Sequence, residues 1–188
     1  MATATAKATA SKSSSRSRAA ASSEGPHRVR QENAEKGFQA SAQLTDNLQR
    51  VLIDLIELHL QGKQAHWNVV GKNFRDLHLQ LDEIIDAARE FSDEVAERLR
   101  ALHASPDGRT ATVVEQTSLP PYPNGEVDTA TTVDLITTRI DAVVGTMREV
   151  HDDVDEEDPT SADLLHAIIA SLEKFSWMVS AENRTPSA

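Results

Sequence analysis

The sequence has no cysteine, only one tyrosine, and no acidic residue before Glu24. Without cysteine there are no disulfides, iron–sulfur clusters or thiolate zinc sites, so any metal must rest on histidine and carboxylate. Aromatic residues make up 4% of the chain, and leucine, alanine, valine and isoleucine carry most of the apolar content. That composition suits packed helices better than a β-sandwich. No apolar run approaches the ~20 residues that span a bilayer, and the N-terminus lacks the apolar stretch of a secretory signal. A soluble, cytoplasmic protein with no membrane partner is expected. The length of 188 residues suits one domain with an appendage.

Charge is divided unevenly. Residues 1–23 hold Lys7, Lys12, Arg16 and Arg18 and no acid; the total of −11 less this +4 leaves −15 on the remainder. The Ala/Ser/Thr-rich beginning cannot bury enough apolar surface to offset the entropy of ordering it. Residues 1–37 are expected to form a disordered basic tail, 38–183 the folded part, and 184–188 a short C-terminal tail.

Apolar residues recur at helical spacing from about Ser41 through Leu44, Leu48, Leu52 and Leu55 toward Trp67, where Gly71 ends the first helix. Asn73 is placed to cap a second helix of about 30 residues, which runs to "HASPDG". The connector from Ser105 to Asp128 contains four of the seven prolines, with a short helical turn at "TATVVEQT". It is too long for a tight bundle turn and is expected to cross the bundle's length. A third helix follows through Val133, Ile136, Ile140 and Met147. Asp158 as N-cap and Pro159 at the first helical position open a fourth, in which Trp177 is assigned to packing. Four antiparallel helices with one long central crossover predict an all-α, ferritin-like four-helix bundle.

The second helix carries His78, Asp82, Asp93 and Glu97, separated by four, eleven and four residues. At about 100° per residue these steps return to within about 40°, 20° and 40° of the starting direction, so all four share a face. Asp82 and Asp93 nevertheless stand roughly 16 Å apart along the axis, so one chain holds two half-sites. The spacing is palindromic about a midpoint between Ala87 and Ala88. A two-fold axis there brings His78 and Asp82 of one copy to Asp93 and Glu97 of another, and the small alanines are expected at the crossing. His66 adds a second nitrogen beside His78. Taken alone, each His/acid pair at this spacing is more often surface decoration. Five residues obeying one symmetry operation favour ligation, and two nitrogens with three carboxylates suit Fe(II), or zinc.

"KQAHWNVVGKNFRDLHLQLDE" followed by "SDEVAERL" resembles the ferroxidase signature of the Dps family, DNA-binding miniferritins of starved cells, over about Phe38 to Asn183. The resemblance implies a hollow homododecamer that oxidises Fe(II), preferentially with hydrogen peroxide, at di-iron sites between subunits and stores ferric oxide inside. His66, His78 and Asp82 of one chain and Asp93 and Glu97 of its partner are the implied ligands, none of them substituted. Trp67 matches the family's tryptophan near the site, as an electron donor or as a plain core or interface aromatic. The acidic run "HDDVDEEDPTSAD" resembles the segment lining the family's iron pore, with Asp158 and Asp163 as pore residues and Asp153 and Asp155 behind them. The basic tail is then a DNA-binding element and the protein nucleoid-associated, although an Arg/Ser/Ala-rich, acid-poor start is also the composition of a transit peptide. Two other classes compete. A structural DNA-compacting protein with little iron chemistry is opposed by the complete ligand set. A di-iron oxygenase requires Glu-x-x-His triplets that helices two and four lack.

Overall fold

The computed structural model of the chain describes Met1 and residues 37–186. The basic tail and its expected DNA contacts therefore lie outside the described residues, as do residues 187–188 of the C-terminal tail. From Phe38 onward the chain forms one compact unit.

Four long helices build the bundle. Helix α1, Ala42–Asn68, is started by Ser41, whose hydroxyl accepts from the Leu44 N–H at 3.0 Å. Helix α2 is Phe74–Ala101. Asn73 does not cap it as expected: it takes φ 60 with no side-chain cap bond, and its amide donates to Glu182 instead. A left-handed residue after Gly71 (φ 120) reverses the chain between α1 and α2, and this tight turn overrides the capping preference. The crossover contains a short helix, α3, Thr110–Gln116. Helix α4, Thr129–Glu157, begins at Asp128, whose carboxylate accepts from the Thr131 N–H and hydroxyl. Helix α5, Pro159–Ser180, leads into one 3-10 turn, Ala181–Asn183.

Helices α1 and α2 pack as one hairpin and α4 and α5 as the other, and α1–α4 and α2–α5 contacts close the bundle. The core is aliphatic: Leu48, Leu55, Leu81, Leu99, Ile140 and Leu172 are each 0% exposed, the residues the helical periodicity predicts. Phe175 packs against it, but Trp177, expected in packing, is 62% exposed. Among the described residues no helix is long and apolar enough to cross a membrane.

The crossover runs the full length of the bundle. Its end is marked by a parallel pair of two-residue strands, β1 (Val69–Val70) and β2 (Val127–Asp128), with Val69 opposite Val127. This places the start of α4 beside the end of α1. Two buried charged residues tie the connector down. Asp54 on α1, 2% exposed, accepts from the Ser118 N–H and hydroxyl and the hydroxyls of Thr117 and Thr146. Arg139 on α4, also 2% exposed, donates to the carbonyls of Pro120, Pro121 and Leu135 and to Gln61, and lies over the Tyr122 ring.

Asp158 stands at the N-cap position of α5 as expected, and its carboxylate is held chiefly by side chains, Arg98 at 2.6 Å and the Ser161 hydroxyl. Burial opposes its ionisation, but the hydrogen bonds from Ser161 and Arg98 outweigh this and keep the carboxyl below its ordinary range. A depressed folded-state pKa contributes stability that is present above the unfolded value and lost as pH falls through the folded one. Asp158→Asn should therefore cost about 1 kcal/mol at neutral pH. Denaturation midpoints of variant and wild type should converge as pH falls through the folded-state pKa of Asp158. A difference that stays constant through acid unfolding would remove the Arg98 contact as the source.

Candidate metal centre

The end of α1 and the start of α2 bring His66, His78 and Asp82 together, with one ligand-type atom from each lying within 4.8 Å of the others. The helices come close here because Gly62, one turn before His66, has no side chain: a Cβ there would meet Ile85 Cγ1 at 2.9 Å. The two imidazoles stack at 3.7 Å with planes 20° apart. Each is clasped by the other helix. His66 Nδ1 faces the His78 carbonyl at 3.1 Å, and His78 Nδ1 faces the His66 carbonyl at 3.0 Å. A carbonyl only accepts, so both rings are Nδ1–H tautomers and each Nε2 keeps its lone pair for a metal. Such a second hydrogen bond orients ligand histidines at metal sites. His66 Nδ1 also lies 3.3 Å from Asp82 Oδ1; the carbonyl is the nearer acceptor and takes the proton.

Asp82 is bound by Lys63, whose ammonium donates to Oδ1 at 2.7 Å. That hydrogen bond, with the charge of the ammonium, lowers the carboxyl's pKa despite slight desolvation. A cation thus already neutralises the carboxylate. Lys63 escaped the sequence reading although its place one turn before His66 was a usable signal.

Asp93 and Glu97 are exposed and do not join this cluster. Asp93 lies instead in the wall of an open groove between α1 and α2, with Leu52, Asp86 and Arg89. His59 on α1 is pushed below its ordinary pKa by burial and then by Arg89 and Lys63, with Asp86 acting in the opposite sense. Ala87 and Ala88, expected at the crossing, face the wrong way: Ala88 is fully buried in the chain's own core and Ala87 is half-buried. Trp67 is 69% exposed beside His66, so it is no core aromatic of this chain.

In the acidic segment, Asp153, Asp155 and Asp163 are exposed. Asp158, expected in a pore wall, is turned inward to Arg98 and Ser161. The α4–α5 hairpin also brings His151 and His166 together, ring centroids 4.4 Å apart, with Asp152 and Asp163 alongside. These histidines were not singled out in the sequence, because they stand fifteen positions apart and only the hairpin makes them neighbours.

A helical bundle with a long crossover and a His₂/carboxylate cluster at the α1–α2 end is a ferritin-like protein, and the ferritin-like domain family matches residues 45–185. Within that class the chain belongs to the Dps family. It is 37% identical to DNA protection during starvation protein 2 of Deinococcus radiodurans over 80% of this chain, though spanning only 59% of that protein. It is 34% identical to the DNA protection during starvation protein of Mycolicibacterium smegmatis, covering 75% of this chain and 77% of the relative. The crystal structure of Dps92 from Deinococcus radiodurans superposes with a TM-score of 0.73 at 36% identity, covering 77% of this chain and 88% of that one.

Proposed function

We propose that this chain is a miniferritin that oxidises Fe(II), preferentially with hydrogen peroxide, and stores the product as ferric oxide, thereby protecting DNA. The clasped His66–His78 pair beside Asp82 is the observation that carries the reading. Two imidazoles with free Nε2 atoms and one carboxylate form a half-site of borderline donors suited to Fe(II). Asp93 and Glu97 of a second copy complete it, and twelve copies form the shell. Iron is substrate here. Two Fe(II) ions together give two electrons to one peroxide, cleaving its O–O bond to water-level oxygen, so no hydroxyl radical is released, and the Fe(III) hydrolyses to oxide with release of protons. Carboxylates favour the higher charge of Fe(III). Where a site holds a single Fe(II), Trp67, exposed beside His66, gives the second electron to peroxide and is itself oxidised. Asp163, with Asp153 and Asp155, forms the acidic route for incoming cations, and the basic tail, multiplied over the shell, binds DNA phosphates.

The test is anaerobic Fe(II) addition followed by peroxide, monitored by ferric absorbance. Oxidation is expected to consume one peroxide per two Fe(II) and to outpace oxidation by dioxygen. A rate equal to that of protein-free solution refutes the ferroxidase. Deleting residues 1–23 should abolish DNA retardation at low salt and leave iron oxidation intact; unchanged retardation refutes the tail's role.

A further inference from the structure

We infer that Asp86 and Arg89 form reciprocal ion pairs across the two-fold axis between two copies of this chain, and that these pairs fix the register that completes each iron site. The inference rests on the shared site proposed above and names the contact that aligns it.

The midpoint of the His78–Glu97 and Asp82–Asp93 spacings sets the height of the axis on α2. It does not set the side. At about 100° per residue, Ala87 and Ala88 point away from the ligand face, in agreement with the burial of Ala88 at 0% exposure. The residues at that height on the ligand face are Asp86 and Arg89, placed symmetrically about the same midpoint. In an antiparallel pair, Asp86 of one copy stands level with Arg89 of the partner subunit, and the symmetry makes the contact twice.

Charge makes the contact necessary. Arg89 is the only lysine or arginine between Arg75 and Arg98, a stretch that also holds Asp82, Glu83, Asp86, Glu90, Asp93, Glu94 and Glu97. Two copies of so acidic a helix repel at the crossing unless a cation lies there. Both Asp86 and Arg89 are exposed, and among the described residues neither has an ion-pair partner within the chain. They also line the open groove between α1 and α2, whose apolar residues Leu52 and Ile56 lie beside them and whose wall includes Asp93. The crossing and the partner half of the iron site thus belong to one continuous surface, and a second copy of this chain is its occupant.

The test uses two full-length variants, Asp86→Arg and Arg89→Asp. Alone, each sets like charges opposite one another at both contacts and should weaken self-pairing roughly tenfold or more. Mixed, the two chains oppose unlike charges at both contacts, so native mass spectrometry should show hybrid dimeric units well above the random half. The double variant Asp86→Arg/Arg89→Asp should pair with itself again. A pair acting only within one helix predicts rescue in the double variant but a random mixture, which overturns the inference. Wild-type pairing in both single variants overturns it too. The site reading is judged separately, by complementation between ligand-deficient chains: recovery there with random mixing here refutes the Asp86–Arg89 contact alone, and no recovery refutes both.

Discussion

Chains carrying His66→Ala and His78→Ala, mixed with chains carrying Asp93→Ala and Glu97→Ala, are expected to regain iron oxidation that neither shows alone. Loss of residues that merely orient metal ligands costs roughly 10- to 100-fold, so removal of two ligands should leave each variant at least about a hundredfold below wild type. The structure provides the reason for complementation. His66, His78 and Asp82 converge within one chain, whereas Asp93 and Glu97 stay outside the cluster, roughly 16 Å or more along the same helix. After joint unfolding and reassembly, random pairing makes about half the dimers mixed, and each mixed dimer has one site with all the damage and one with none. About a quarter of the sites should recover. Stopped-flow absorbance on shells shown to be hybrid is the measurement; activity no higher than that of the separate variants would falsify the intersubunit site.

Arg139→Met should destabilise the fold by about 2 to 3 kcal/mol, the largest effect expected outside the proposed iron site. The guanidinium donates to Gln61, Leu135, Pro120 and Pro121, and among the described residues no carboxylate forms an ion pair with it. Methionine removes the burial cost of the charge along with its hydrogen bonds, so the loss is set by the acceptors left without a donor, at about 1 kcal/mol each. Water reaches the exposed prolines and keeps the total below the full sum. Burial also lowers the pKa of Arg139, but not to a range where it loses its charge at neutral pH. Arg139→Lys should recover only part of the loss, since one ammonium cannot serve a planar array of acceptors. Denaturant midpoints and hydrogen exchange in residues 117–128 would report it; an unchanged midpoint with unchanged exchange would show that the crossover is held by Asp54 alone.

Much of this was readable before the structure. The four long helices follow from apolar spacing, and Ser41 and Pro159 stand at helix starts with the local chemistry such positions need. The shared face of His78, Asp82, Asp93 and Glu97 on α2 was legible because a helix converts spacing into direction without help from the rest of the chain. Asn73 was misread because capping preference is weak beside the geometry of the tight turn that α1 and α2 impose on it. Asp158 stands at its helix start as local chemistry implies, but its pairing with Arg98, sixty residues earlier, depends on the packing of α2 against α5 and not on neighbouring residues.

The sequence by itself determined the helices, the long crossover and the palindromic His/carboxylate face of α2, since each depends on periodicity or on the chemistry of neighbouring residues. Only the tertiary structure decided the tautomers of His66 and His78, the lysine on Asp82, and which side of α2 faces outward at the midpoint. Those depend on the carbonyls and charges that α1 presents to α2 and on which residues the bundle buries. Spacing along a single helix supplies height and relative angle, but the direction of the core is set by the elements packed against it.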